Sequence, residues 1–120
     1  MEWVVEVTDE FTTWWNGLDE AEQVSLAASV GLLEQFGTAL RYPYSSSIKT
    51  SRHGHMRELR VQHHGQPYRV LYAFDPRRVA ILLVGGIKVG DDRWYNRHVP
   101  IADRIYEQHI KEITREKLIE

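Results

Sequence analysis

Three strand-like segments joined by two short turns occupy residues 55–87, and this pattern limits the possible folds more than any other part of the chain. The first segment alternates between apolar and polar side chains from His55 onward. Its predicted faces are Arg57, Leu59 and Val61 on one side and Met56, Glu58 and Arg60 on the other. Turns are predicted at residues 64–67 and 75–78, and residues 79–84 are apolar on both faces, as expected of a central strand. Together these segments predict an antiparallel meander.

Predicted helices precede this sheet. Residues 3–7 are rich in β-branched side chains and predict one further strand. Thr8 and Asp9 are cap residues for a short helix over residues 10–18. Asp19 and Glu22 have the spacing of a capping box, so a second helix begins there and ends at Gly37. We expect its buried stripe to be Val24, Ala28, Leu32 and Phe36, joined by Ala21 and Leu33.

The rest of the chain is predicted as two loops and one last helix. The loops cover residues 41–51 and 88–98, and the helix runs from Ile101 to Lys117 after Pro100. Its expected packed side is Ile101, Ile105, His109 or Ile110, and Ile113. The fold class is therefore α+β, with a small antiparallel (meander) sheet, an N-terminal strand, an N-terminal αα-hairpin and a C-terminal helix in one domain over residues 1–120. We expect the helices on one side of the sheet, which leaves the other face to solvent or a ligand.

Charge is segregated along the chain although the net charge is only −2. Residues 1–40 hold eight Asp and Glu side chains and no Lys or Arg. Residues 41–98 hold eleven Lys and Arg against four acids, together with five of the six histidines. Such segregation favours a basic face that binds a polyanion, and the alternative is that acids and bases pair across the fold.

Several classes of protein and of site are excluded by the composition. The chain has no cysteine, so it has neither disulfides nor thiolate metal sites. No apolar run approaches the roughly 18 residues of a membrane span, and no signal peptide is evident. We therefore expect a cytoplasmic protein with no membrane partner. The histidines lack the spacing of a metal site, so we predict no metal and no cofactor, and no Gly-x-Ser-x-Gly motif indicates an esterase or peptidase.

Two groups of residues favour binding to RNA. Arg60 and Arg69 fall on strands joined by a tight turn, so their guanidinium groups are expected to face each other and to suit a phosphate. Glu58 lies one pleat from Arg60, and the alternative is a surface salt-bridge ladder of these three. Trp94 and Tyr95 lie among basic side chains in the predicted loop 88–98, a combination that favours stacking on bases. The predicted RNA-binding residues are Lys49, Arg52, His53, Arg57, Arg93, Trp94, Arg97 and His98.

Four stretches of the chain resemble one known family. They are Met56-Arg57-Glu58-Leu59-Arg60, the strand from Pro67 to Phe74, the strand from Ala80 to Lys88, and Ala102-Asp103 in the last helix. They are similar to the RelE/ParE toxin superfamily, in particular to the HigB or phage Gp49-like branch of bacterial toxin-antitoxin modules. The resemblance covers nearly the whole chain. It implies a metal-independent endoribonuclease that cuts mRNA, usually in the ribosomal A site, and a cognate antitoxin, often a HigA-like helix-turn-helix protein.

The resemblance also implies roles for individual residues. Arg69 matches the strand arginine that stabilises charge on the phosphate during attack by the 2′-hydroxyl, Lys88 lies near a basic residue after the last strand, and Tyr95 lies near a C-terminal tyrosine or histidine. The catalytic candidates are Arg69, Lys88, Arg60, Glu58, Tyr95 and His55. RelE has two lysines on the strand that here reads Met56-Arg57-Glu58. The general base is therefore open among Glu58, His55 and His53, and His98 is an alternative to Tyr95 as the acid. The alternative functions are a ParE-like gyrase poison and a non-catalytic RNA- or protein-binding module of the same fold.

Overall fold

A five-stranded mixed sheet separates two helical layers in the computed structural model, which describes residues 2–90 and 93–116. The strands are β1 (Val5–Val7), β2 (Ser45–Ser47), β3 (Arg57–His63), β4 (Gln66–Phe74) and β5 (Ala80–Ile87), in the spatial order β1-β5-β4-β3-β2. The helices are α1 (Asp9–Asn16), α2 (Glu20–Phe36) and α3 (Trp94–Arg115), and a 3₁₀ turn, Gly37–Ala39, follows α2. None of the described helices is both long enough and apolar enough to cross a membrane.

The predicted meander forms the centre of this sheet. β3, β4 and β5 pair antiparallel in sequence order, and β5 is flanked by strands on both sides, as its apolar faces indicate. The whole sheet, however, is mixed and is not a simple meander, because β1 pairs parallel to β5. Part of the predicted loop 41–51 is also a strand, since residues 45–47 pair with β3 at its outer edge.

The helix starts that were read from cap residues are confirmed. The Thr8 side chain accepts a hydrogen bond from the backbone N–H of Phe11 at 3.0 Å, which fixes the start of α1. Asp19 and Glu22 form the predicted capping box, with both side-chain-to-backbone hydrogen bonds at 2.8 Å. Gly37 ends α2 with a φ of 55°, a conformation that suits glycine.

The predicted buried stripe of α2 is right at Leu33 and in part at Leu32, which packs against the core, but wrong at its other positions. The buried residues of α2 are Leu26 and Leu33, whereas Val24 is 63% exposed and Phe36 is 45% exposed. Apolar residues lie on more than one side of this helix, so its sequence offers two stripes at helical spacing. The sheet covers the stripe that contains the two leucines.

The helices lie on both faces of the sheet, which corrects the expectation that they gather on one side. Against α1 and α2 the sheet buries a core that includes Leu59, Val61, Val70, Tyr72 and Leu82. Against α3 it buries a second core that includes Met56, Leu71, Ile81, Leu83 and Val99. The alternation predicted for β3 is confirmed, because Leu59 and Val61 face one core and Met56 faces the other. The face expected to be open is therefore mostly covered by α3.

The last helix begins seven residues before the predicted start, at Trp94, so residues 94–98 are not a loop. Two features hid this start: Arg93 makes no side-chain cap, and Pro100 lies inside the helix although proline usually marks a first turn. Burial of Trp94 and Val99, each 2% exposed, holds these first turns on the sheet.

Gly85 and Gly86 allow two tryptophans to pack on opposite faces of β5. A Cβ atom at Gly85 would lie 2.3 Å from the Trp14 ring, and one at Gly86 would lie 2.6 Å from Nε1 of Trp94. The two indoles belong to α1 and α3, so this glycine pair anchors both helical layers at one end of the sheet.

Candidate functional site

The Glu58 carboxylate is the centre of a polar cluster on the α3 face of the sheet. Its side chain is 6% exposed and lies among two hydroxyls and two guanidinium groups. Oε2 accepts a hydrogen bond from Ser46 Oγ at 2.5 Å, and Arg60 Nη1 lies 3.3 Å from the same oxygen. Oε1 accepts a hydrogen bond from the Tyr95 hydroxyl at 2.6 Å, and Arg69 Nε lies 3.4 Å from it.

Strand register brings these side chains together. Arg60 lies directly opposite Arg69, as the alternation and the short turn predicted, and Ser46 lies opposite Glu58 on the outer strand. Tyr95 comes from the first turn of α3. The cluster is therefore built from three adjacent strands, β2, β3 and β4, and from the start of one helix.

Positive charge exceeds negative charge at this site. Lys88 follows β5, and its Nζ atom lies 5.4 Å from the centre of the Tyr95 ring. Arg60 stacks over the exposed ring of Tyr42 at 5.0 Å. The Glu58 cluster, which we define as Ser46, Glu58, Arg60, Arg69, Lys88 and Tyr95, thus has three basic groups and one carboxylate. Such an arrangement can bind an anion, and guanidinium groups suit phosphate oxygens.

Arg69 holds a buried donor that is not satisfied by a hydrogen bond. The residue is 6% exposed, and Nη1 donates to the backbone oxygen of Tyr68 at 3.0 Å. The Nε atom is close enough to Glu58 for an ion pair, but the geometry is not that of a hydrogen bond. Among the described residues it is the single buried side-chain donor or acceptor without a hydrogen-bond partner. An unsatisfied buried donor costs free energy, and functional sites are one place where that cost is accepted.

The Tyr95 hydroxyl is held in its protonated form. Burial raises the pKa of Tyr95, and the hydrogen bond to the Glu58 carboxylate raises it further, whereas the nearby Arg69 guanidinium lowers it. The net pKa lies above the usual value for tyrosine. At neutral pH this hydroxyl is therefore a proton donor.

The catalytic candidate His55 lies in a different group of side chains. Its Nε2 atom is 3.1 Å from the Tyr106 hydroxyl of α3, and the His53 ring packs edge-on against the same tyrosine. Burial and the neighbouring His53 lower the pKa of His55. Among the described residues, the side-chain contacts of His55 are with Tyr106 and His53 and not with the Glu58 cluster, so the structure does not bring it together with the other catalytic candidates.

Two predicted RNA-binding residues, Arg52 and His53, also contact α3. Arg52 forms a bidentate ion pair with Glu107 at 2.9–3.1 Å, and His53 Nε2 lies 3.1 Å from the same carboxylate. These contacts lower the pKa of Glu107, chiefly through the hydrogen bond from Arg52. The contacts hold the segment before β3 on α3. Within residues 2–90 and 93–116, no three His, Asp or Glu side chains are grouped to hold a metal ion.

The remaining RNA-binding candidates lie at separate places on the protein and do not form one patch with the Glu58 cluster. Arg57 lies on the opposite face of β3 from Arg60 and donates to Ser45 Oγ at 2.9 Å, so it is not part of the Glu58 cluster. Lys49 is exposed, and Arg93 and Arg97 are exposed near the start of α3.

The structure contradicts the prediction that Trp94 stacks on a base. Its ring is buried against Gly86 and is stacked on the His98 imidazole, with ring centres 4.1 Å apart. His98 Nδ1 also lies 2.8 Å from the backbone oxygen of Trp94. Both side chains therefore help to form the first turn of α3.

Sequence reasoning missed Ser46 and Tyr42. Ser46 lies in a run of three serines, which resembles a loop and gives no signal of a strand. Tyr42 lies beside Pro43 in the same predicted loop. Their contacts with Glu58 and Arg60 depend on β2 pairing with β3, a long-range event that local sequence does not encode.

The mixed sheet with an αα-hairpin on one face and a helix on the other is the RelE fold. The Escherichia coli toxin RelE in the free state superposes with a TM-score of 0.56 over 94% of this chain and 99% of that chain, at 10% identity. RelE in the archaeal RelE–RelB complex from Pyrococcus horikoshii gives a TM-score of 0.55 over 75% of this chain and 99% of that chain, at 16% identity. At these identities the likeness concerns the fold alone.

Sequence comparison then gives the family. The profile described as "Phage derived protein Gp49-like (DUF891)" matches residues 13–107. "Putative toxin HigB3" of Mycobacterium tuberculosis is 40% identical over 92 residues, which are 76% of this chain and 79% of that protein. "Putative toxin HigB2" of the same organism is 36% identical over 110 residues, which are 90% of this chain and 54% of that longer protein. The chain belongs to the Gp49-like family, and the resemblance to its HigB branch is confirmed. It spans about half the length of HigB2.

Proposed function

We propose that the chain is the toxin of a toxin-antitoxin module and that it cleaves mRNA as a metal-independent endoribonuclease. Membership of the family that includes HigB relatives supports the first part. The observation that carries the second part is the Glu58 cluster, where a buried carboxylate, a protonated tyrosine and two facing arginines meet at one point. These groups provide a base, an acid and an anion-binding site.

The cluster suits attack by a 2′-hydroxyl on the adjacent phosphodiester. The 2′-oxygen forms a bond to phosphorus, the bond from phosphorus to the 5′-oxygen breaks, and the products are a 2′,3′-cyclic phosphate and a free 5′-hydroxyl. Glu58 accepts the proton of the 2′-hydroxyl, and Tyr95 gives a proton to the leaving 5′-oxygen. Arg69, with Arg60 beside it, stabilises the negative charge that develops on the phosphate oxygens.

Glu58 is preferred as the base for a geometric reason. The other two candidates, His53 and His55, pack against Tyr106 of α3, whereas Glu58 contacts both the acid and the phosphate-binding arginine. Ser46 fixes the orientation of the carboxylate from the outer strand. In this proposal Ser46 is a positioning residue.

The proposed partners are a cognate antitoxin and the ribosome with its mRNA. The archaeal RelE in the structural comparison was solved as a complex with RelB. A HigA-like helix-turn-helix antitoxin for this chain is a proposal that follows from its HigB relatives. A ribosome supplies the mRNA in a fixed position, which reduces what a small site must bind by itself.

The test compares purified variants on ribosome-bound mRNA in the presence of a chelator. Glu58→Gln, Arg69→Met and Tyr95→Phe should each reduce cleavage about 100-fold or more, the usual effect of removing an acid or base group. Arg104→Met, at an exposed arginine on α3, is the matched control and should retain cleavage. Circular dichroism confirms that each variant is folded.

The proposal fails if folded Glu58 and Arg69 variants cleave at the rate of the unchanged protein. If the unchanged protein does not cleave RNA and its expression blocks gyrase, the ParE-like alternative is indicated. If the unchanged protein binds RNA but neither it nor any variant cleaves RNA, the chain is a binding module.

A further inference from the structure

A cavity of about 390 Å³ lies at the end of the sheet where β3 begins and β4 ends, beside the 3₁₀ turn that follows α2. The turn between β3 and β4 lies at the other end, as does Lys88. No residue of the Glu58 cluster lines this cavity. Pockets for small molecules have volumes from about 300 to 1,000 Å³, so the cavity is large enough to hold a separate ligand.

Two aromatic rings form the apolar part of the lining. Trp3 and Phe74 meet edge-on with ring centres 5.2 Å apart, and neither residue is fully buried. The Trp3 backbone N–H donates to the Glu34 oxygen at 2.8 Å, and the indole occupies the space where a Cβ atom at Gly37 would lie. The rings therefore have fixed positions, and such surfaces pack well on a flat ring.

Two arginines give the lining a positive charge without counter-ions. Arg57 and Arg78 both line the cavity, and neither forms an ion pair with any residue within 2–90 and 93–116. The Arg57 Nε atom donates to Ser45 Oγ at 2.9 Å, which orients the guanidinium group. A guanidinium group that has no counter-ion suits a carboxylate or a phosphate.

The carboxylate of Asp75, which also lines the cavity, is already neutralised by other groups. Its side chain is 0% exposed and accepts hydrogen bonds from Nε and Nη2 of Arg77 at 3.0 and 2.7 Å. It also accepts one from the backbone N–H of Val79 at 3.3 Å. Asp75 therefore does not offset the charge of the two lining arginines.

The turn before β5 places Arg78 beside the aromatic rings. Its φ of 66° lies in the left-handed region, which is uncommon for a residue other than glycine. The Arg78 N–H donates to the Asp75 oxygen at 2.8 Å, and the guanidinium carbon lies 4.9 Å from the centre of the Trp3 ring. Backbone conformations of this kind are found preferentially at ligand-binding and other functional sites.

We propose that the cavity binds a nucleoside phosphate, with the phosphate on Arg57 and Arg78 and the base against Trp3 and Phe74. This class of ligand combines an anion that guanidinium groups recognise with a flat ring that aromatic side chains contact. A free nucleotide and the 5′-phosphorylated end of an RNA strand present the same chemistry. The inference does not depend on the proposed ribonuclease function, because the two sites share no residue.

The experiment is an NMR titration of the full chain with AMP, with inorganic phosphate and with adenosine. AMP should shift the amide signals of Gly54 and Arg78, which line the cavity, and should bind more tightly than either part alone. Arg57→Met and Arg78→Met should each weaken AMP binding about ten-fold or more, because each removes a hydrogen bond to a charged group. Arg104→Met and Arg69→Met are the matched controls and should leave the affinity for AMP unchanged.

A second titration distinguishes the two sources of the ligand. It uses a trinucleotide that has a 5′-phosphate and 2′-O-methyl groups, so that the chain cannot be cleaved through a 2′-hydroxyl. Tighter binding of the trinucleotide than of AMP identifies an RNA end as the ligand, and weaker binding identifies a free nucleotide.

Three results would overturn the inference. The first is an affinity for AMP no higher than that for inorganic phosphate. The second is unchanged AMP binding in both Arg57→Met and Arg78→Met. The third is loss of AMP binding in Arg69→Met, which would place the nucleotide at the Glu58 cluster. Failure of the proposed function is measured separately, by the cleavage assay.

Discussion

The ion pair between Glu58 and Arg69 should contribute to stability as well as to chemistry. The two side chains are 6% and 7% exposed, so neither charge is well hydrated when its partner is removed. Breaking a buried pair from one side costs about 3–5 kcal/mol of the free energy of unfolding. Arg69→Met should cost about 3 kcal/mol, at the lower end, because Glu58 keeps Arg60 and the hydroxyls of Ser46 and Tyr95.

Glu58→Gln should cost more than Arg69→Met, toward about 5 kcal/mol, because it leaves two arginines facing each other without a counter-charge. The double variant removes charge from both sides of the pair. Its cost should therefore be less than the sum of the single costs by about 2 kcal/mol. Urea denaturation followed by circular dichroism measures each value by linear extrapolation.

A surface pair provides the control for this double-mutant cycle. Arg52 and Glu107 also form an ion pair, but their side chains are 55% and 40% exposed. Their coupling should be small and should fall as salt is added, whereas the coupling between Glu58 and Arg69 should change little. If the single effects at Glu58 and Arg69 are additive, or if salt removes their coupling, the two charges do not form a buried ion pair.

Three further changes test other parts of the structure. Gly86→Ala places a methyl group against the Trp94 indole, so it should lower stability by about 1–3 kcal/mol in a thermal melt. Ultraviolet titration should show a phase above the usual pKa of about 10, because the pKa values of Tyr68, Tyr95 and Tyr106 are all raised, and Tyr95→Phe should reduce the amplitude of that phase by one tyrosine. Burial alone would raise the pKa of Asp75, but hydrogen bonds from Arg77 and His109 outweigh it and lower the pKa. Asp75 therefore stabilises the fold above its unfolded pKa of about 4 and loses this effect as the pH falls through its lowered folded pKa, so Asp75→Asn should flatten the loss of unfolding free energy below about pH 4.

Local signals in the sequence predicted those parts of the fold that depend on neighbouring residues. The capping box of Asp19 and Glu22 located the start of α2, because both hydrogen bonds lie within one turn. The alternation of β3 and the short turn after it predicted that Arg60 and Arg69 face each other. The phosphate-binding part of the candidate site was visible for this reason.

Features that depend on long-range packing were not predictable in the same way. Packing against the sheet determines which of the two apolar stripes of α2 is buried, and it is the stripe that contains Leu26 and Leu33. The start of α3 is set by burial of Trp94 on Gly86 and not by a cap residue. Ser46 reaches Glu58 only because β2 pairs with β3. None of these contacts lies within a single helical turn or tight turn, so local sequence patterns do not reveal them.

The most direct test of the central claim is the chemical identity of the ends that the purified protein leaves on mRNA. In a reaction with ribosomes and a chelator, we predict cleavage within codons, a 2′,3′-cyclic phosphate on the upstream fragment and a 5′-hydroxyl on the downstream fragment. Arg69→Met should lose both products while it remains folded. Fragments with a 5′-phosphate, or cleavage that stops when the chelator is added, would contradict a reaction carried by Glu58, Arg69 and Tyr95.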